Sequence, residues 1–114
     1  MPRVFTMKTV QAATQVIRIY LSGPIESAKA LLREECMREG LCVTIEPTLF
    51  IYTGGEETGY VVGLVNYPRF PSEPAALKAR ALVIAEMLVE MTHQHSALVV
   101  CPDESVWLTK RVTA

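Results

Sequence analysis

The sequence predicts an α+β fold, a ferredoxin-like βαββαβ sandwich with an extra C-terminal strand, in which two helices cover one face of an antiparallel sheet. Five stretches have the alternating or apolar, β-branched composition of strands, and two have the apolar period of helices. These elements follow one another in the order β, α, β, β, α, β, β. Two right-handed split βαβ units joined by a hairpin form such a sandwich.

The composition indicates one folded domain. Half of the 114 residues are apolar and a fifth are charged, which is far from the composition of disordered chains. The net charge is -1, and Lys and Arg form no long run. Because a protein that binds the phosphate backbone needs a basic surface, nucleic acid is not an expected partner.

The chain is expected to be cytoplasmic and to have no membrane partner. Its apolar runs are shorter than the roughly 20 residues that span a bilayer, and its first residues lack the pattern of a signal peptide. Cys36, Cys42 and Cys101 are odd in number and lack a CxxC spacing. They are therefore predicted to be reduced, mostly buried thiols.

Residues 1–15 have no clear period and are predicted to be a separate N-terminal segment, either mobile or forming an added strand or short helix. Residues 16–114 are predicted to form the single domain. Its first strand is marked by Ile17, Ile19 and Leu21, which alternate with polar or aromatic neighbours.

The turn Ser22-Gly23-Pro24 is predicted to end this strand and begin the first helix. Ser22 or Gly23 is expected to cap the free amides, and Pro24 suits the first helical turn because it has no N–H.

The first helix is expected to run to about Glu39, with Gly40 as a left-handed terminator. Glu34 and Arg38 have the spacing of an i,i+4 ion pair on its exposed side. Its apolar stripe is interpreted as core packing.

A β-hairpin is predicted from residue 41 to 67, with arms at 41–52 and 60–67 around the Gly-rich connector 53–59. Pro47 cannot donate to a ladder, so the first arm is expected at an edge of the sheet. The second arm is apolar on both sides, which predicts a central strand that is covered on both faces.

The second helix is expected to be capped by Ser72, with Glu73 and Pro74 in its first turn. Its apolar residues exceed an ordinary stripe, which one small sheet cannot cover, and this surplus predicts a homo-oligomer. The residues concerned are Leu77, Ala81, Leu82, Val83, Ile84, Met87, Leu88, Val89 and Met91.

The chain is predicted to end in a second hairpin, with strands at residues 97–101 and 106–110. Pro102 followed by Asp103 suits a type I turn between them.

The predicted ligand-binding residues are Tyr20, Ser22, Gly23, Tyr67 and Arg69. In the predicted topology they lie near the ends of the central strands, where they would surround a pocket. The free amides of the turn after the first strand could also hold an anion.

Two other groups of residues are interpreted as structural. Glu56 and Glu57 could bind a cation or an amine, but adjacent carboxylates on a turn are more often solvated. His93 and His95 could bind a metal ion together with Cys101, but their i,i+2 spacing does not place two imidazoles on one helix face. The sequence therefore predicts no metal site, and it assigns neither a catalytic residue nor a cofactor.

The six residues IYLSGP, Ile19 to Pro24, resemble the opening strand and loop of the nucleoside 2-deoxyribosyltransferase-like family. The resemblance covers these residues only and implies a small-metabolite or nucleoside-processing enzyme. The main interpretation is a small oligomeric module that binds a small molecule or a protein partner, and the enzyme is the alternative.

Overall fold

The computed structural model describes residues 6–111, within which it contains five strands and two helices. Residues 1–5 and 112–114 lie outside the described residues. The first five residues of the predicted N-terminal segment and the last three of the predicted domain are therefore not described. In chain order the elements are β1 (Val16–Ser22), α1 (Ile25–Arg38), β2 (Val43–Tyr52), β3 (Gly55–Val65), α2 (Pro74–Met91), β4 (Ser96–Val100) and β5 (Ser105–Thr109).

The five strands form one antiparallel sheet in the order β2-β3-β1-β4-β5. The predicted α+β class is therefore confirmed. β1 pairs with β3, with Val16 opposite Val65 and Ser22 opposite Gly59. β2 lies at an edge, where the missing N–H of Pro47 interrupts no second ladder.

One face of the sheet packs against both helices and forms the core. Ile17, Ile19 and Leu21 of β1 are at most 1% exposed, because alternate residues of a strand point to the same face. Ala28 and Leu32 of α1 belong to the same buried cluster. The other buried apolar residues are Tyr60, Val62, Leu64, Leu77, Ala81, Ile84, Ala85, Leu88, Val89, Ala97, Val99 and Cys101.

Neither helix covers the opposite side of the sheet, here called the open face. Val65, Leu98 and Trp107 on this face are 40%, 38% and 46% exposed. β3 is therefore central in the sheet, as predicted, but only one of its faces is covered by the described residues. The expectation of cover on both faces is wrong, because both helices pack on the same side.

α2 exposes less apolar surface than the sequence predicts. Leu82 and Met87 are half-buried and pack against the core, so only Val83 and Met91 are large and exposed. The apolar surplus of the chain lies instead on the open face and on the β2–β3 hairpin.

The β2–β3 hairpin has a shorter turn than predicted. The ladder continues to the pair Tyr52 and Gly55, so the turn consists of Thr53 and Gly54, whose φ of +92° suits glycine. The connector expected at residues 53–59 is thus mostly strand. Residues 55–58 are exposed on both faces and carry no apolar side chain, so no apolar alternation marked them as strand.

Both predicted helix caps are wrong, because each serine has another role. The Ser22 hydroxyl donates to Glu57 Oε1 at 2.8 Å, and α1 has no side-chain cap. The residue that caps α2 is Glu73, also without a side-chain hydrogen bond. The Ser72 amide donates instead to Asn66 Oδ1 at 2.8 Å.

The end of α1 also differs from the prediction. Gly40 is not left-handed, and the chain leaves the helix in an extended conformation. Arg38 pairs with Glu35, with 3.1 Å between Nε and Oε2, rather than with Glu34. Arg80 of α2 approaches the same carboxylate, with 3.6 Å between Nη2 and Oε1.

Residues 6–15 form no helix or strand. Asn66, which is buried, attaches the end of this segment to the domain. Its side-chain amide donates to the Ala13 carbonyl and its backbone amide donates to the Gln15 carbonyl, each at 2.9 Å. Neither helix within the described range has the length and apolarity needed to cross a bilayer.

Candidate functional site

A groove of about 400 Å³ lies on the open face, here called the open-face groove. Its volume is within the range of small-molecule pockets. The residues that line it include Tyr20, Ser22, Phe50, Ser96, Leu98 and Trp107.

Strand register brings the central side chains of the groove together. Tyr20 of β1 lies opposite Leu98 of β4, and Leu98 lies opposite Trp107 of β5. Side chains at directly opposed positions point to the same face and lie within contact distance. The three therefore form an apolar and aromatic row across the sheet.

Phe50 of β2 lines another side of the groove. Its ring has room in this position because residue 59 on the neighbouring strand is a glycine. A Cβ built on Gly59 would lie 2.5 Å from Phe50 Cε2 and 3.0 Å from the Ser22 Cα. Any side chain at Gly59 would therefore displace the ring or separate the strands.

A hydrogen bond joins the polar rim of the groove to a neighbouring carboxylate. Ser22 lines the groove and donates its hydroxyl to Glu57, which links the end of β1 to the hairpin. A carboxylate held in this way has further lone pairs, with which it can accept hydrogen bonds from ligand hydroxyl groups or face a cation.

Gly23 follows Ser22 but does not present a free amide to a ligand. Its N–H donates to the Thr58 carbonyl at 3.4 Å. Its φ of +116° favours glycine, and a Cβ there would lie 2.7 Å from Gln94 Nε2. Gly23 therefore shapes the turn beside the groove.

The structure does not bring Tyr67 and Arg69 into the open-face groove. Both follow β3, whose last residues pair with the start of β1, whereas the groove lies at the end of β1. Tyr67 stacks on Phe70 with 5.3 Å between ring centroids and accepts a hydrogen bond from Cys42 Sγ at 3.6 Å. The role of both residues in ligand binding stays a prediction.

Four residues that line the groove were not predicted to bind a ligand: Phe50, Ser96, Leu98 and Trp107. The available signal was the two-residue alternation of the last two strands, which places Leu98 and Trp107 on the same face when the strands pair. Which face that is depends on the pairing of β1 with β4, and the sequence does not contain this register.

The histidines after α2 lie apart from the groove lining. Across residues 6–111, no cluster of three His, Cys, Asp or Glu side chains could hold a metal ion. Burial raises the pKa of the Cys101 thiol, which favours the protonated form.

Two solved structures of phage SAM lyase have a similar fold. One is in complex with S-methyl-5′-thioadenosine and the other is in the apo state, with 14% and 13% sequence identity. Each superposition has a TM-score of 0.71 and covers 96% of this chain and 100% of the lyase chain. No protein-family model and no curated protein sequence matches the chain. At such identity the similarity shows the fold alone.

Proposed function

We propose that this chain is a homo-oligomeric enzyme that binds S-adenosylmethionine (SAM) in the open-face groove and cleaves it to S-methyl-5′-thioadenosine. The observation that carries the proposal is an aromatic groove in a fold that is similar to phage SAM lyase over 96% of this chain. It develops the enzyme alternative of the sequence analysis and retains the expected oligomeric, ligand-binding character.

The groove has the groups that an adenine thionucleoside requires. Tyr20 and Trp107 offer aromatic faces to a purine, and such stacking is worth about 1–3 kcal/mol per base. Ser22 and Glu57 at the rim suit ribose hydroxyl groups, which donate to carboxylates. Leu98 provides an apolar surface for the methylthio group.

Formation of S-methyl-5′-thioadenosine from SAM breaks the bond between the sulfonium sulfur and Cγ of the amino-acid chain. The electron pair of that bond stays on sulfur, which becomes a neutral thioether. The amino-acid fragment either closes on its own carboxylate oxygen, which requires no base, or loses a proton to a base. We assign Glu57 to face the sulfonium charge, because it is a carboxylate at the rim.

Trp107 makes the binding step measurable, because it is the single tryptophan of the chain. Titration with SAM or S-methyl-5′-thioadenosine is expected to change its fluorescence in a saturable manner. Loss of stacking in Tyr20→Ala should weaken binding roughly tenfold, since each factor of ten is about 1.4 kcal/mol. Phe70→Ala, an exposed aromatic outside the groove, is the matched control and should bind as the wild type does.

Chromatography of the reaction mixture tests the cleavage step. S-methyl-5′-thioadenosine should accumulate from SAM, and Glu57→Gln should slow its formation. A free purine base would indicate cleavage of a glycosidic bond instead, which is the chemistry implied by the IYLSGP resemblance. Absence of both binding and product would contradict the proposal and favour a protein partner.

We also propose that the domain is a ferredoxin-like sandwich. The strands β2-β3-β1-β4 would be its four-stranded part, and β5 beside β4 is an addition to that order. Both helices pack on the same face of the sheet, in one buried cluster, which supports this assignment. The domain boundary at residue 16 and the cytoplasmic location stay predictions.

The homo-oligomer is proposed from the open face. Val65, Leu98 and Trp107 form part of a sheet surface that neither helix of the same chain covers. A second copy would bury these side chains, and each Å² of apolar surface removed from water contributes about 25 cal/mol. The open-face groove would then lie at a subunit junction.

A further inference from the structure

Within residues 6–111, no third strand lies beside the distal part of the β2–β3 hairpin. β1 pairs with β3 only as far as Gly59, whereas β2 and β3 remain paired to the turn. Residues 49–58 therefore form a two-stranded extension, here called the arm. An isolated two-stranded hairpin is marginally stable in water, so a long arm is expected to gain stability by packing on another surface.

One face of the arm is apolar and exposed. Leu49 and Ile51 are 47% and 76% exposed, and both point to the side of the sheet on which the helices lie. Ile51 is paired with Glu56, whose carboxylate lies on the same face. The arm thus presents two large aliphatic side chains next to a negative charge.

A second groove, of about 420 Å³, lies between α1 and β2 and is here called the α1–β2 groove. Its apolar surface is formed by Leu32, Leu41, Val43 and Ile45.

The rim of the α1–β2 groove is basic. Lys29 and Arg33 have the i,i+4 spacing that places both on one side of α1. Arg33 has no ion-pair partner among residues 6–111, and Lys29 pairs with Glu26, most of whose side chain is exposed. An exposed pair of this kind is weak and can be exchanged for another.

The arm and this groove match in polarity and charge but cannot meet within one chain. Ile45 in the groove and Ile51 on the arm belong to the same strand, six residues apart, so about 20 Å separates them. Any occupant of either surface that matches it in this way therefore comes from another molecule. A second copy of this chain carries both complementary surfaces.

We propose that the arm of one copy docks in the α1–β2 groove of a second copy, with Leu49 and Ile51 against the apolar surface and Glu56 beside Lys29 and Arg33. The contact is heterologous, so it generates a closed ring when the rotation between copies closes. It deepens the proposed homo-oligomer, on which it rests, by naming the two surfaces that meet.

Native cysteines in the groove allow a direct test. Cys36 and Cys42 line the α1–β2 groove, and Ile51→Cys would bring a third thiol to them from the second copy. Diamide takes two electrons and two protons from a pair of thiols, which leaves a disulfide. Ile51→Cys is expected to form covalent oligomers on a non-reducing gel, with peptides joining position 51 to Cys36 or Cys42 in mass spectrometry.

The controls separate docking from random oxidation. Val83→Cys introduces an exposed thiol on α2, outside the groove, and should not form these linkages. Replacing Cys36 and Cys42 by serine in the Ile51→Cys chain should abolish them. Cross-linking of Ile51→Cys no stronger than that of Val83→Cys would overturn the proposal.

A charge exchange provides a second test that does not depend on a new thiol. Arg33→Glu is expected to weaken self-association about tenfold in sedimentation equilibrium at low salt, where charge interactions are least screened. Adding Glu56→Arg should restore it, because the two charges are exchanged. Failure of this restoration would count against the proposed contact.

The outcomes distinguish this inference from the proposed function. Self-association without the specific cross-link would overturn arm docking and leave the homo-oligomer supported by another surface. A chain that stays monomeric at high concentration would overturn both. Trp107 fluorescence reports nucleoside binding separately, so loss of docking with retained binding would contradict only the arm contact.

Discussion

Gly59 lies between β1 and β2, paired with Ser22 on one side and with Thr48 on the other. Its missing side chain leaves room for the Phe50 ring and for the backbone of Leu21 and Ser22. Because Phe50 and Ser22 both line the open-face groove, the size of residue 59 determines both the strand spacing and the groove. A change in the size of residue 59 is therefore expected to affect both the packing of the sheet and the candidate site.

Gly59→Ala is therefore expected to lower the free energy of unfolding by about 1–3 kcal/mol, because the added Cβ overpacks the strand junction. Urea denaturation followed by circular dichroism measures this change. Gly40→Ala is the matched control: a Cβ there meets no atom of the described residues within 4 Å, and its φ is not positive. Equal stability of the two variants would contradict the close approach at Gly59.

At the scale of elements, an ion-pair network joins the C-terminal turn of α1 to α2. Glu35 is buried and interacts with Arg38 on its own helix and with Arg80 on the other. The Arg80 guanidinium also donates to the Glu39 carbonyl at 2.8 Å, which satisfies an acceptor left at the helix end. These contacts set the position of one helix relative to the other.

The network predicts a specific dependence of stability on pH. The hydrogen bond from Arg38 lowers the pKa of Glu35. Burial raises this pKa, but the charges of Arg38 and Arg80 lower it as well, so the net effect is a lowered pKa. A lowered folded-state pKa contributes stability above the unfolded-state value near 4.5, and this stability is lost as pH falls through the folded-state pKa.

Glu35→Gln should therefore destabilise the protein at neutral pH by about 1 kcal/mol, since it removes the charge of a buried acceptor that Arg80 and the mostly exposed Arg38 share. The difference from wild type should shrink as the pH falls below about 4.5, as measured by urea denaturation across the acid range. Glu34→Gln, on an exposed neighbour, should change little at any pH. A difference that stays constant with pH would show that folding is not linked to this carboxyl.

At the scale of the whole molecule, the apolar surface is unevenly distributed. The helices cover one side of the sheet so well that Ile19, Val62 and Val99 are fully buried. The open face has no such cover within residues 6–111, and the arm extends beyond the strand that could have supported it. This asymmetry is the physical basis for both proposed contacts between copies.

A homo-oligomer that buries the open face should have a melting temperature that rises with protein concentration, because association stabilises the folded state by mass action. Leu98→Lys places a charge on that face and should remove most of this dependence. Val83→Lys adds the same charge on α2, at a residue that is 57% exposed. This variant should retain the dependence of the melting temperature on concentration. A wild-type melting temperature independent of concentration would contradict the homo-oligomer.

Much of the secondary structure could be predicted because its causes are local. The alternation around Ile17, Ile19 and Leu21 and the long apolar face of α2 are consequences of strand and helix periodicity, and both elements were found close to their predicted bounds. Pro47 indicated an edge strand because a missing N–H has the same effect in any sheet. The cap predictions were wrong because Ser22 donates to Glu57, 35 residues away, and because the Ser72 amide donates to the Asn66 side chain. Neither partner is marked by the local pattern of a helix start.

The chain by itself thus determined the order of the elements, the helix faces and the strand that lies at one edge, since these depend on neighbours in sequence. Only the tertiary structure decided that Tyr20, Leu98 and Trp107 share one groove and that Tyr67 lies elsewhere. The physical reason is register: a shift of one residue between two paired strands would turn every side chain to the opposite face. Long-range pairing selects that register, and the periodicity of a single strand does not contain it.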